Sequence, residues 1–177
     1  MNVSASTQNS RKKILDVCLI SKPKLELTNR INIWHKQVDI LYANRKKLLK
    51  DYQIKMHFRK NLPEKQHDVI IVLSRFAADM QKAEKISMLQ QLRKYSSCLL
   101  WFSERDSAGF TEFEVLPYVD RYLCKHLYKD MDVYNKQLYY NRKFVDFYAK
   151  KFNLEREEYQ ENELLSDYTD HLDKIGL

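Results

Sequence analysis

The 177-residue chain is poor in glycine, proline and cysteine, with two, three and three of them. Gly109 and Gly176 stand far apart, so neither a G-x-G-x-x-G dinucleotide loop nor a G-x-x-x-x-G-K-[ST] phosphate loop can be written. Collagen and glycine-rich linkers are excluded on the same count. Cys18, Cys98 and Cys124 are odd in number and contain no C-x-x-C pair. That argues against a disulfide framework or a cysteine zinc site and fits buried thiols in a reducing compartment. His35, His57, His67, His126 and His171 show no H-x-x-x-H or H-E-x-x-H spacing, and no metal site is expected from them. There is no G-x-S-x-G elbow, so hydrolysis by an activated serine has no support. Long apolar runs are missing too. Ile14–Ile20, behind Arg11, Lys12 and Lys13, is too short for a secretory signal or a membrane span. The expectation is a cytoplasmic protein, with peripheral contact at the inner membrane face open to its basic region.

What remains is the composition of one globular domain, 44% apolar and 31% charged. The net charge of +7 is uneven. Residues 1–65 carry 15 Lys/Arg against 5 Asp/Glu, and residues 154–177 carry 2 against 8. A basic first third suits an anionic partner such as nucleic acid, a lipid surface or a sugar diphosphate, or is simply a solvated lysine-rich face.

Along the chain, polar residues 1–10 read as a disordered tail. Ile14–Ile20 is a buried strand. Trp34, Val38, Leu41, Tyr42, Leu48 and Leu49 form the apolar stripe of a helix. Tyr52, Ile54, Met56 and Phe58 alternate with Gln53, Lys55 and His57 as a half-buried strand. Pro63 marks a turn. Asp68–Ser74 and Ser97–Phe102 are further buried strands flanking a helix over Ala77–Tyr95. After a loop at 103–110 come a short strand at Val119–Leu123 and aromatic and charged residues at helical spacing through Tyr148. A last helix is predicted over Leu164–Ile175. The organisation is therefore a tail at 1–10, an α/β domain at 11–153 and an acidic helical tail at 154–177. Strands joined by helical crossovers imply a three-layer α/β fold with a mostly parallel sheet and a helical C-terminal part.

In such a sheet the ligand sits beyond the carboxyl ends of the strands. Three loops begin there: Ser21-Lys22-Pro23-Lys24, Ser74-Arg75, and Ser103-Glu104-Arg105-Asp106-Ser107-Ala108-Gly109. Cations pair with oxyanions and carboxylates accept sugar hydroxyls, so Lys22, Arg75, Ser107 and Gly109 are candidate substrate-binding residues. Asp106 is the candidate general base. Asp106, Ser107 and Gly109 equally suit a tight turn. Seven tyrosines between Tyr118 and Tyr148 interleave with Arg121, Lys125, Lys129, Lys136, Arg142 and Lys143. They would stack on single-stranded bases or on sugar rings, or pack on the sheet with their hydroxyls at the rim.

The segment Trp101–Phe152 carries D-S-x-G at Asp106–Gly109, L-P-Y-V-D at Leu116–Asp120, L-x-K-D at Leu127–Asp130, Tyr134 and R-x-x-x-D-x-Y at Arg142–Tyr148. With these elements it resembles the N-terminal half of bacterial and phage-type glycosyltransferases of the two-domain GT-B architecture, with group 1-like members that build surface polysaccharides. Tyr140 and Asn141 stand where that pattern has two glycines, Ala149 where it has histidine, and Cys124 where it has lysine. The resemblance implies a Rossmann-like acceptor-side domain, and adds Arg142 and Asp146 to the substrate-binding candidates. It implies an acceptor glycan or lipid-linked acceptor as ligand. A nucleotide-sugar donor would be held by a second domain not found in this chain, and a separate donor-domain chain would be the partner. No cofactor is expected within the 177 residues. The alternatives are a basic, tyrosine-rich nucleic-acid-binding module, disfavoured by the acidic end, or an inactive fragment.

Overall fold

The computed structural model describes residues 13–22, 36–105, 108–139, 142–154 and 163–176. Six strands form one sheet: β1 (Leu15–Ile20), β2 (Ile54–Arg59), β3 (His67–Leu73), β4 (Ser96–Ser103), β5 (Arg121–Cys124) and β6 (Ile175–Gly176). Their order is β2-β1-β3-β4-β5-β6, and every pairing is parallel. This is the α/β fold with a parallel sheet expected from the apolar strand runs, in a Rossmann-like arrangement. The predicted tail at 1–10 lies outside the described residues.

The larger core lies on one face of the sheet. Cys18, Ile20, Ile70, Val72, Leu99, Trp101 and Tyr122 meet Met88, Leu89 and Leu92 of α3 (Lys82–Arg93). Helix α3 starts where the Gln81 N–H donates to the Glu84 carboxylate at 2.8 Å, satisfying a backbone donor that the first turn leaves over. On the other face Leu19 and Leu73 meet Val38 of α1 (Lys36–Ala43). The single helix predicted from the Trp34–Leu49 stripe is two, split at Asn44, with α2 running Arg45–Tyr52. The Asn44 side chain donates to the Ile40 carbonyl at 2.8 Å, the kind of local bond by which asparagine competes with helix continuation. Left-handed Gln53, at φ 57°, ends α2 and turns the chain into β2.

Residues 60–66 link β2 to β3 as a strap with no helix, bent at residues 60, 61, 64 and 65. β2 and β3 lie on opposite sides of β1 and run the same way, so this link must run back the length of β1 and cross it. Extended chain covers about 3.3–3.6 Å per residue and a helix only about 1.5 Å, so a seven-residue helix, about 10 Å long, would be too short to return along the six residues of β1. Leu62 packs against the larger core and Pro63 is buried. Pro63 thus sits in a covering strap, not only in a turn.

The acidic C-terminal stretch is part of the domain. Two short 3-10 helices within Leu165–Lys174, broken by a kink at Tyr168, replace the predicted α-helix, Leu165 enters the larger core, and Ile175–Gly176 adds the sixth strand beside β5. A 3-10 turn at Phe113–Tyr118 precedes β5, and the helical spacing between the short strand and Tyr148 resolves into a 3-10 turn at Met131–Asn135 followed by α4 (Lys143–Lys151). No helix among the described residues is long and apolar enough to cross a membrane.

Asp120 pins β5 to β4. Its carboxylate accepts from the Leu99 N–H at 2.6 Å and from Arg93 Nη1 at 2.7 Å. Burial alone would raise its pKa, but the Arg93 and Leu99 hydrogen bonds outweigh that and hold it below the ordinary aspartate value. A depressed folded-state pKa contributes stability above the unfolded pKa, near 4, and loses it as pH falls through the folded one. Asp120→Asn is therefore expected to lower urea-unfolding stability at pH 7 by about 1 kcal/mol at most, given the 44% exposure of the side chain. At an acid pH below the folded-state pKa the gap should close. A gap of the same size at both pH values would show that the charge plays no part.

Candidate functional site

The chain leaves β1 for β2 on one side and reaches β3 on the other, so the strand order reverses between β1 and β3. The crevice at that switch point is where open α/β sheets take ligands. Three strand ends are tied together there. After β1, buried Ser21 donates its N–H to the Arg59 carbonyl at 3.0 Å, and exposed Lys22 pairs with Asp79. After β3, the 3-10 turn Ser74–Ala77 buries Ser74 and exposes Arg75. After β4 comes Glu104, 1% exposed. The Ser74 hydroxyl accepts from the Glu104 N–H at 3.0 Å, and Glu104 Oε2 accepts a long bond from the Arg75 N–H at 3.4 Å. The arrangement offers two exposed cations on a backbone fixed by buried serines and a buried carboxylate.

The remaining candidates form a second group. Gly109 is buried, next to Ala108, whose carbonyl accepts from the Tyr134 hydroxyl at 2.9 Å. Burial, outweighing a hydrogen bond from the Tyr128 N–H, pushes the Tyr134 phenol up to about 12, so it stays a donor at neutral pH. The Arg142 guanidinium lies 5.1 Å from the centre of the Phe110 ring. Asp146, on the buried side of α4, accepts from the Tyr139 N–H at 3.2 Å and from Lys150 at 2.6 Å. Its carboxylate is engaged in packing α4, which is not the arrangement of a residue waiting for a sugar. Asp106 and Ser107 lie outside the described residues. The described contacts thus place Lys22 and Arg75 at the switch point, and Gly109, Arg142 and Asp146 in the layer beyond β4.

Glu104 is the residue that sequence reasoning passed over. It stands in the same loop as Asp106, and nothing in its spacing separates it from a solvated glutamate. A second buried carboxylate, Glu112, accepts from Trp101 Nε1 at 3.2 Å and Arg105 at 3.3 Å. Burial raises its pKa, against the pull of Arg105 and Lys85.

Most of the tyrosines pack. Tyr122 and Tyr134 are core, and Tyr118, Tyr128 and Tyr168 lie against it. On α4, by contrast, Phe144, Phe147, Tyr148 and Phe152 just beyond it are all more than half exposed, among Lys143, Lys150 and Lys151.

At the opposite, amino-terminal edge of the sheet, Asp16 of β1, His57 of β2 and His67 of β3 converge, each with one possible ligand atom within 4.8 Å of the others. Spacing along the chain could not show this group, because strand pairing makes it. Comparisons of this chain with protein families, with curated proteins and with solved structures find no match.

Proposed function

We propose that this chain is an acceptor-binding domain of glycosyltransferase type, whose ligand is a hydroxyl-rich molecule carrying phosphate. The observation behind this reading is the switch point between β1 and β3, where Lys22, Ser74, Arg75 and Glu104 come from three strand ends. Phosphate oxygens call for cations and for donors on a rigid frame. Sugar hydroxyls call for carboxylate acceptors, and the loop after β4 carries Asp106 for that role, with buried Glu104 holding the Arg75 backbone in place. In a complete enzyme Asp106 would take the proton of the attacking hydroxyl, and the nucleotide-sugar would come from a donor domain on another segment or chain.

The test is a titration of isotope-labelled protein with glucose 1-phosphate, followed by NMR. Amide shifts at Ser21, Lys22, Ser74 and Arg75 are expected. Arg75→Ala should weaken binding about 10-fold, as for loss of one charge-assisted contact. No shift at these amides, or equal affinity in Arg75→Ala, would overturn the reading.

A second reading rests on α4. Exposed aromatic rings among lysines suit base stacking on a single strand. An oligothymidylate added to the same sample is the counter-probe. Shifts on α4 that fade steeply with salt favour nucleic acid, because phosphate contacts release counterions.

A further inference from the structure

We propose a divalent metal site of the zinc class at Asp16, His57 and His67, bridging β2, β1 and β3 on the edge of the sheet away from the switch point. The proposal is independent of the glycosyltransferase reading. His57 Nε2 lies 3.0 Å from Asp16 Oδ2, and His67 Nδ1 contacts Asp16 Oδ1. The imidazole rings are 5.2 Å apart, centre to centre. Zinc bonds of ~2.0–2.1 Å in a tetrahedron put neighbouring ligand atoms ~3.3 Å apart, so small shifts convert these contacts into a coordination shell. Two imidazoles and one carboxylate are a common three-ligand set for zinc, with a fourth position left to water.

The frame is fixed before any ion arrives. Asp16 and His57 sit on paired strands, the Asp16 N–H donates to the Asp68 carboxylate at 2.8 Å, and the His67 N–H donates to the Tyr95 carbonyl at 2.9 Å. The Asp68 carboxylate is itself paired with Lys13, so it braces Asp16 from behind, as outer-shell partners do in metal sites. Access is open on one side only: the His67 side chain is fully buried, while those of His57 and Asp16 are 21% and 30% exposed. Among the described residues the two imidazoles are the side-chain partners of the Asp16 carboxylate, and no lysine or arginine competes with them for it. Cys18 follows Asp16 on the same face of β1 and is the register partner of His57. It is fully buried and belongs to the hydrophobic core, outside the ligand set. A metal here would fasten three adjacent strands, and its binding free energy would add to that of folding.

Isothermal titration of the metal-stripped chain with zinc chloride tests this, with cobalt(II) absorption as a second readout. One equivalent is expected to bind, with the visible cobalt spectrum of a low-coordinate site. Asp16→Asn and His57→Gln keep hydrogen-bonding amides in place and should each weaken binding by at least about 100-fold, beyond what outer-shell changes cost. His171→Gln should bind as the parent does. Zinc uptake unchanged in both Asp16→Asn and His57→Gln would overturn the site, and so would a parent chain that takes up neither metal, whatever the variants' folding.

Discussion

Trp101→Ala is expected to remove about 3–5 kcal/mol of stability, the usual loss when a buried aromatic side chain is truncated. A domain of this kind has about 5–15 kcal/mol in total, so the variant would stand near the folding threshold. Trp101 is fully buried. It lies level with Val72 of β3 and Tyr122 of β5, at the centre of the larger core. The truncation also strips Glu112 of its indole donor while leaving the carboxylate buried. Those two effects separate in Trp101→Phe. That variant keeps most of the apolar contact and loses only the hydrogen bond, at an expected cost of about 1–3 kcal/mol for a buried polar group left short of a partner. Urea unfolding of both variants gives the numbers. A loss under about 1 kcal/mol for Trp101→Ala would mean that the wall around the indole collapses freely.

The second large effect is expected from ending the chain after residue 162. That cut removes Leu165 from the core and the β6 edge from the sheet, together with three other ties. Lys174 donates to the Leu116 carbonyl at 3.0 Å, the Ser166 N–H donates to the Asn135 side chain at 2.8 Å, and Lys82 pairs with Glu163. Loss of the leucine alone is worth about 2–5 kcal/mol, and each hydrogen bond adds about 1 kcal/mol. The shortened chain is therefore expected to lose cooperative unfolding, seen as a near-ultraviolet dichroism signal without a sharp thermal transition. Leu165→Ala in the full chain isolates the first contribution. A shortened chain with an unchanged midpoint would show that the acidic stretch only lies on the surface.

These two regions mark what the sequence made legible and what it did not. Val17–Ile20, Val69–Leu73 and Leu99–Phe102 announce interior parallel strands, because strands covered on both faces carry continuous apolar runs. Alternation over Ile54–Phe58 announces β2 equally well. With the strand ends placed, the rule for open sheets leads directly to Lys22 and Arg75. β6 was not legible, since two residues, Ile175 and Gly176, carry no pattern and pair with a strand 53 residues earlier. The split at Asn44 turns on one side-chain hydrogen bond, and the burial of Glu104 on how two loops meet. The Asp16, His57 and His67 group depends on register between strands, so the 41 and 51 residues separating its members from Asp16 hid it.

The strap over β1 also bears on how the chain finds its fold. β2 and β3 are neighbours in sequence, and a seven-residue link is ample for an antiparallel hairpin between them. The native sheet declines that nearest pairing and seats β1, from far earlier in the chain, between the two as a parallel partner of both. Local closure is the faster event, because a long loop must give up more freedom before its contacts form. Folding is therefore a contest between a quick hairpin and a slow insertion. The side chains decide it: β2 leaves every residue at least partly open to solvent, whereas Val17–Ile20 bury every side chain. A hairpin of β2 and β3 alone would leave that run in water, and only a place in the middle of the sheet covers it on both faces.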